Sequence, residues 1–355
     1  MTATDGTLVR STTVAPAAVA PATDPTVLPV AITGLGAYLP ARTVDNDELS
    51  RTLDTSDAWI RTRTGIATRH VAAPEEATSD LALAAARAAL ADAGVDAADL
   101  RAIVVATCTP DHLLPATGPL VAAGLGVEVP AFDLNAACSG FVYGLRVAGA
   151  LAATADGPVL LIGAEALTRI VDAGDRGTAI LFGDGAAAVV LTAHAGAGLG
   201  PFDLGSDGSD PSMLWAAATG TRSPATPARL AAGEQYLTMR GGDVYRHAVT
   251  RMTASATAVL SAAGVTIDDV DLFVGHQANA RILAGVAERL GLPAGRSHVT
   301  IDRHGNTSAA SVPLALVDAR DTGRLGPGDR VLVAAFGAGL TWGSTLLTWE
   351  GRRRE

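Results

Sequence analysis

The stretch LALAAARAALADAGVDAADLRAIVVAT, Leu81–Thr107, reads as an alanine-rich helix that stops at Gly94, followed by a short turn and a buried β-strand. The same grammar returns in ASATAVLSAAGVTIDDVDLFVGHQ, Ala254–Gln277. Aligned by their glycines, the two match at Leu90 and Leu260, Gly94 and Gly264, Asp99 and Asp269, and Val104 and Val274, at one offset of about 170 residues. At nearly that offset GPVLLIGAEA, Gly157–Ala166, resembles GDRVLVAAFGAG, Gly328–Gly339. Chance likeness between apolar segments explains either pair alone, but a shared order and offset point to duplication. The chain is therefore expected to hold two α/β halves, 29–200 and 201–355, each a buried sheet covered by helices, after a disordered tail over 1–28 that is rich in Ala, Thr and Pro.

Composition narrows the function. With 355 residues and 48% hydrophobic side chains a large core is available. Acidic residues outnumber basic ones 36 to 26, for a net charge of −10, which argues against general affinity for nucleic acid or an anionic membrane. No charge-free apolar run reads as a membrane span, and the N-terminal residues lack a basic segment followed by a compact apolar core, so no membrane partner and a cytoplasmic protein are expected. Two cysteines, Cys108 and Cys138, are too few for a disulfide framework and have no zinc-like spacing, so no metal is expected.

VAITGLGAYLP, Val30–Pro40, places a Gly-x-Gly after a β-prone run, read here as a strand meeting a glycine turn. A dinucleotide site is disfavoured, because the third glycine of that fingerprint is missing and Pro40 interrupts the following helix. A different chemistry is suggested by NAACSGFVYGL, Asn135–Leu145, where Cys138 sits between a strand end and a helix start. There the helix dipole and free N–H groups would stabilise a thiolate and lower its pKa; a buried structural cysteine is the plainer alternative. Two partners suit a nucleophile: His276, directly after a strand in VGHQANARI, and Asn306, in the turn of IDRHGNTSAASVP. His304 is a weaker choice of base than His276, and the remaining histidines stand in segments without comparable punctuation.

Together AACSG, GHQAN and HGNTSAAS, with DAWIRTRTGIATRH upstream and AFGAGLTWGS downstream, resemble the β-ketoacyl-[acyl carrier protein] synthase III family of the thiolase-like superfamily, over about Val30 to Trp349. The resemblance implies the duplicated five-layer αβαβα thiolase-like fold, a homodimer, and acyl-coenzyme A as substrate with no permanently bound cofactor. It also implies a decarboxylative Claisen condensation that primes fatty-acid or polyketide chains: Cys138 takes an acyl group from coenzyme A, and malonyl-acyl carrier protein loses CO2 and attacks it. His276 and Asn306 would donate hydrogen bonds to the enolate, and the backbone amides of Cys138 and Ala338 would hold the acylation oxyanion. Ala338 stands where the family often has glycine, so a positive φ there would be costly.

By the same resemblance Trp59, Arg63, Arg176 and Asn279 would bind coenzyme A, and Leu114, Leu167, Phe182 and Leu237 would line the acyl pocket, Leu114 from a loop that crosses to the partner subunit. Arg246, Arg281 and Arg289 would meet the acidic carrier protein, with Glu288 at a position often held by lysine. The segment Met213–Gln235 matches the family poorly and is expected to shape the entrance. Two other classes share the fold: an acyltransferase forming an ester or amide, against which the retained Asn306 counts, and a non-catalytic synthase partner, against which Cys138 counts.

Overall fold

The computed structural model describes residues 23–24, 27–195 and 198–351. Two five-stranded sheets form its frame. In the first, the strands run in the order Val30–Tyr38, Gly185–Ala193, Val159–Glu165, Ala102–Ala106 and Ala131–Leu134, the last three parallel. In the second the order is Thr23–Asp24, Leu199–Ser206, Thr341–Thr348, Arg330–Gly337 and Leu272–Gly275, with the last two parallel. The shared plan extends to detail. The helices Thr78–Ala93 and Gly241–Ala263 both close on a left-handed glycine, Gly94 at φ 66° and Gly264 at φ 67°. Each is followed by a short 3-10 turn, Ala97–Asp99 or Ile267–Asp269, and then by a parallel strand.

Hydrophobic patterning sets the layers. Leu81, Ala82, Ala85, Ala86, Ala89 and Leu90 form one face of the first helix and bury against Ile103, Val105, Leu160 and Val190 of the first sheet. Met252, Ala256, Val259 and Leu260 do the same on the second sheet, with Ile282, Leu283 and Val286 of the helix Ala280–Leu290. Between the sheets lie the helices Gly140–Thr154 and Ser311–Asp321, whose Phe141, Val142, Leu145, Val312, Leu314 and Leu316 join both inner sheet faces in one core. Helices outside, two sheets, and helices between them make the five-layer αβαβα thiolase-like arrangement. The stretch Ala137–Thr154 is long and apolar enough to cross a membrane, but it serves as this central core element.

Two expectations are corrected. The strand Val30–Tyr38 continues through Gly34 and Gly36, after a register shift between Ile32 and Gly34, instead of turning there. A Cβ at either position would lie 2.5 Å or 2.2 Å from the backbone of Ala89, so this Gly-x-Gly exists to let a helix rest directly on a strand. The tail also ends earlier than expected. Thr23–Asp24 pairs antiparallel with Asp203 and Phe202, and Leu28 is buried in the central core; residues 1–22, 25 and 26 lie outside the described residues.

Candidate active site

Strand ends and the turns that lead into both central helices converge on a cavity of about 870 Å³. Cys138 enters it from the 3-10 turn Ala137–Ser139, which leads directly into the helix Gly140–Thr154. His276 follows the strand Leu272–Gly275, its N–H bonded to the Ala334 carbonyl of the neighbouring strand at 2.8 Å. Asn306 is fixed by a parallel bridge to Phe182: its N–H donates to Leu181 O at 2.8 Å, and Gly183 N–H donates to its carbonyl at 3.0 Å. Cys138 thus comes from one half and the other two polar side chains from the other.

Burial decides the protonation states. The Cys138 thiol is pushed up to about 12 by desolvation; the nearby Glu165 carboxylate raises it further, while the Ser308 hydroxyl and its own amide pull the other way. Burial thus opposes the thiolate that the helix start was expected to favour. His276, 2% exposed, is held down to about 3 by burial and is a neutral imidazole. Its Nδ1 lies 2.6 Å from Ser311 Oγ, and the same oxygen accepts from Gln277 N–H at 3.3 Å. A serine donating to Nδ1 leaves Nε2 as the protonated nitrogen. Asn306 Oδ1 accepts from Ser308 N–H at 2.9 Å, so its NH2 remains as a donor.

The loop after Arg330–Gly337 meets the cysteine turn closely. Thr341 Oγ1 donates to Ala136 O at 2.8 Å, Ser139 Oγ donates to Thr341 O at 3.1 Å, and a Cβ on Gly337 would stand 2.6 Å from Cys138 N. Ala338 and Gly339 line the cavity. Positive φ in this turn falls on Gly339, at 136°, and not on Ala338, so the alanine costs no backbone strain.

The remaining sequence predictions divide. Trp59, 36% exposed, has Arg176 over its ring at 4.9 Å and Arg63 at 5.5 Å, and all three line the cavity. Asn279 lines it too, but its Oδ1 caps the helix Ala280–Leu290 by accepting from Arg281 N–H, and its Nδ2 donates to Arg63 O at 3.1 Å. Leu167, Phe182 and Leu237 are cavity walls; Leu114, 85% exposed, is not. Arg281 lines the cavity with its guanidinium over Tyr245 at 5.8 Å. Arg246 is exposed and paired with Asp243, Arg289 donates to Thr250 Oγ1 at 3.3 Å, and Glu288 is exposed beside it. Leu214, Trp215 and Ala216 of the poorly matching region contribute to the wall, on a small hairpin with Leu237–Met239, and Pro211 just before that region joins them. His304 does not line the cavity; it stacks near His70 at 5.6 Å. Sequence reasoning missed Ser308, Ser311 and Glu165, since nothing in spacing marks a hydroxyl or carboxylate brought in from another layer. Among the described residues no cluster of His, Cys, Asp or Glu could hold a metal ion.

A duplicated αβαβα frame with a buried cysteine, a neutral histidine and an asparagine on one cavity defines a thiolase-like condensing enzyme, an acyltransferase. The family model for 3-oxoacyl-[acyl-carrier-protein] synthase III matches residues 132–208, and that for its C-terminal region matches 260–349. The chain is 52% identical over 324 residues to "Beta-ketoacyl-[acyl-carrier-protein] synthase III 5" of Streptomyces coelicolor, covering 90% of this chain and 96% of the relative. It is 49% identical over 323 residues to the synthase III of Roseiflexus castenholzii, covering 90% and 98%. The crystal structure of the priming β-ketosynthase from the R1128 polyketide pathway superposes with a TM-score of 0.85 at 34% identity, covering 94% of this chain and 99% of that one. This chain belongs to the β-ketoacyl-[acyl carrier protein] synthase III family.

Proposed function

We propose that this enzyme primes fatty-acid or polyketide synthesis, as a cytoplasmic homodimer that loads an acyl group from acyl-coenzyme A onto Cys138 and condenses it with malonyl-acyl carrier protein. One observation carries the reading: Cys138, His276 and Asn306 share a single cavity with Trp59, Arg63 and Arg176. An aromatic face flanked by two guanidiniums is the grip that an adenine and its phosphates need. The apolar walls Leu167, Phe182 and Leu237 suit the acyl chain, while Leu114, exposed on its loop, is free to close the partner subunit's pocket.

Acylation moves the acyl carbon from the coenzyme A sulfur to Cys138, with the Cys138 and Ala338 amides receiving the oxyanion. Decarboxylation of malonyl then develops an enolate oxygen, and His276 Nε2–H and the Asn306 NH2 donate to it. A neutral donor suits this step, since it stabilises developing charge without giving up its proton. Arg246, Arg281 and Arg289 would take the acidic carrier protein, with Glu288 tuning partner choice by its reversed charge.

The test is mass spectrometry of the enzyme with a panel of acyl-coenzyme A thioesters, followed by addition of malonyl-acyl carrier protein. The expected result is an acyl adduct on Cys138 that is discharged with CO2 release and a 3-oxoacyl product. An adduct passed to an alcohol or amine without CO2 would overturn it.

A further inference from the structure

A buried carboxylate meets the turn that carries Asn306. Glu165, fully buried at the end of the strand Val159–Glu165, accepts hydrogen bonds from Thr109 Oγ1 at 2.7 Å, Thr107 Oγ1 at 3.2 Å, and Cys108 N–H at 3.1 Å. The Cys108 thiol at 3.3 Å and Ala309 N–H at 3.4 Å also donate to it. A set made wholly of donors is what an ionised carboxylate, which can only accept, requires. The contacts from Thr107, Cys108 and Thr109 tie down the corner after the neighbouring strand Ala102–Ala106. Ala309 is different, because it comes from the other half of the chain.

That contact falls where the backbone is strained. Ser308, buried on the cavity wall, holds a left-handed φ of 48° that a residue with a side chain adopts only under constraint. The conformation sends two consecutive amides to different acceptors: Ser308 N–H donates to Asn306 Oδ1 at 2.9 Å, and Ala309 N–H donates to Glu165. The carbonyl of Ala309 is confined by the same strand, since a Cβ on Gly163 would lie 2.5 Å from it. Asn306 depends on this arrangement. The Ser308 amide engages its oxygen, and that engagement decides which end of the side chain faces the cavity.

Resting on the function proposed above, we infer that Glu165 is a positioning residue for condensation: by accepting from Ala309 it keeps Ser308 left-handed, and Ser308 N–H keeps the Asn306 NH2 turned toward the enolate. Without the carboxylate the turn relaxes toward a right-handed φ and the Ser308 amide leaves Asn306 Oδ1. The asparagine is then free to present its oxygen to an oxygen that is gaining charge. Acylation of Cys138 makes no use of that donor, so the loss falls on the second step. Glu165 itself exchanges no proton and touches no substrate.

The experiment is a double-mutant cycle on the full chain, with Glu165→Gln and Asn306→Ala made singly and together. Rapid-quench mass spectrometry follows two steps separately: acylation by an acyl-coenzyme A that the wild type accepts, and discharge of the acyl-enzyme by malonyl-acyl carrier protein. Glu165→Gln is expected to acylate within about threefold of wild type and to condense about 30-fold more slowly, a smaller loss than removal of the donor itself. In the Asn306→Ala background the same replacement is expected to slow condensation by no more than about threefold, because the group it positions is gone. Equal loss of acylation and condensation, or the same loss of condensation in both backgrounds, would overturn the positioning role alone. A wild-type acyl-enzyme that malonyl-acyl carrier protein does not discharge with CO2 release would instead overturn the proposed function. Should Glu165→Gln fail to fold, Glu165→Asp, which keeps the charge but withdraws it from Ala309, carries the same cycle.

Discussion

The two halves agree where they are scaffold and differ where they meet the cavity. Both have a left-handed glycine cap, a 3-10 turn and a parallel strand in matching order. Beyond the strand they part. After Ala102–Ala106 the chain goes to Cys108 and then out to Leu113 and Leu114, 84% and 85% exposed, whereas after Leu272–Gly275 it delivers His276 at 2% exposure. Conversely, the helix Gly140–Thr154 starts behind Cys138, and its counterpart Ser311–Asp321 starts with the hydroxyl that orients His276. A repeated frame thus offers equivalent positions on either side of one cavity, and the chemistry is divided between them.

Replacing a part from one half should have a different signature from replacing its opposite number. Cys138→Ala is expected to remove acylation and condensation together, with no adduct in intact-protein mass spectrometry. His276→Ala and Asn306→Ala are expected to lower condensation by about 10²–10³ while acylation persists; equal loss of both steps would erase the division proposed here.

The seam between the halves is broken most directly by Gly337→Ala. Its Cβ would fall 2.6 Å from Cys138 N, so a loss of about 1–3 kcal/mol in urea unfolding is expected, with slower acylation.

Acid should act on the second half's buried imidazoles. His276 is held down to about 3 and His304 to about 4, both by burial first, below the usual 6.5. The unfolded chain binds these protons and the folded one does not, so stability is intact above pH 6.5 and falls as pH drops toward 4, by about 1.4 kcal/mol per pH unit per group. Denaturant titrations over that range check it, and His304→Asn should make the slope shallower by one proton.

The smallest contrast sharpens the likeness of the scaffolds. Gly94→Ala and Gly264→Ala meet no atom within 4 Å, so each should cost only the left-handed backbone strain, about 1 kcal/mol, and equally.

The repeat was legible because helix caps and buried strands are local patterns, and Gly94 and Gly264 preserve them. Cys138, His276 and Asn306 were legible as punctuation at element ends, and their motifs carried the family resemblance. The Gly-x-Gly of Val30–Tyr38 was misread because a close helix contact and a turn both ask for glycine, and only the third dimension separates them. The burial that opposes the thiolate was hidden for a related reason: a sequence displays the helix that favours the charge but not the layers that exclude water. Glu165 accepts from Ala309 N–H at 3.4 Å across strands and turns far apart in the chain, which no local window reveals.

The bridge between Phe182 and Asn306 has a consequence for adaptation. A wall of the proposed acyl pocket and a proposed donor to the enolate share one pair of backbone hydrogen bonds. A lineage that reshapes the Phe182 segment for a bulkier starter unit displaces Asn306 with it, so primer choice and turnover are inherited as one trait, and new specificities should come more readily from Leu237 or Leu114, which have no such tether.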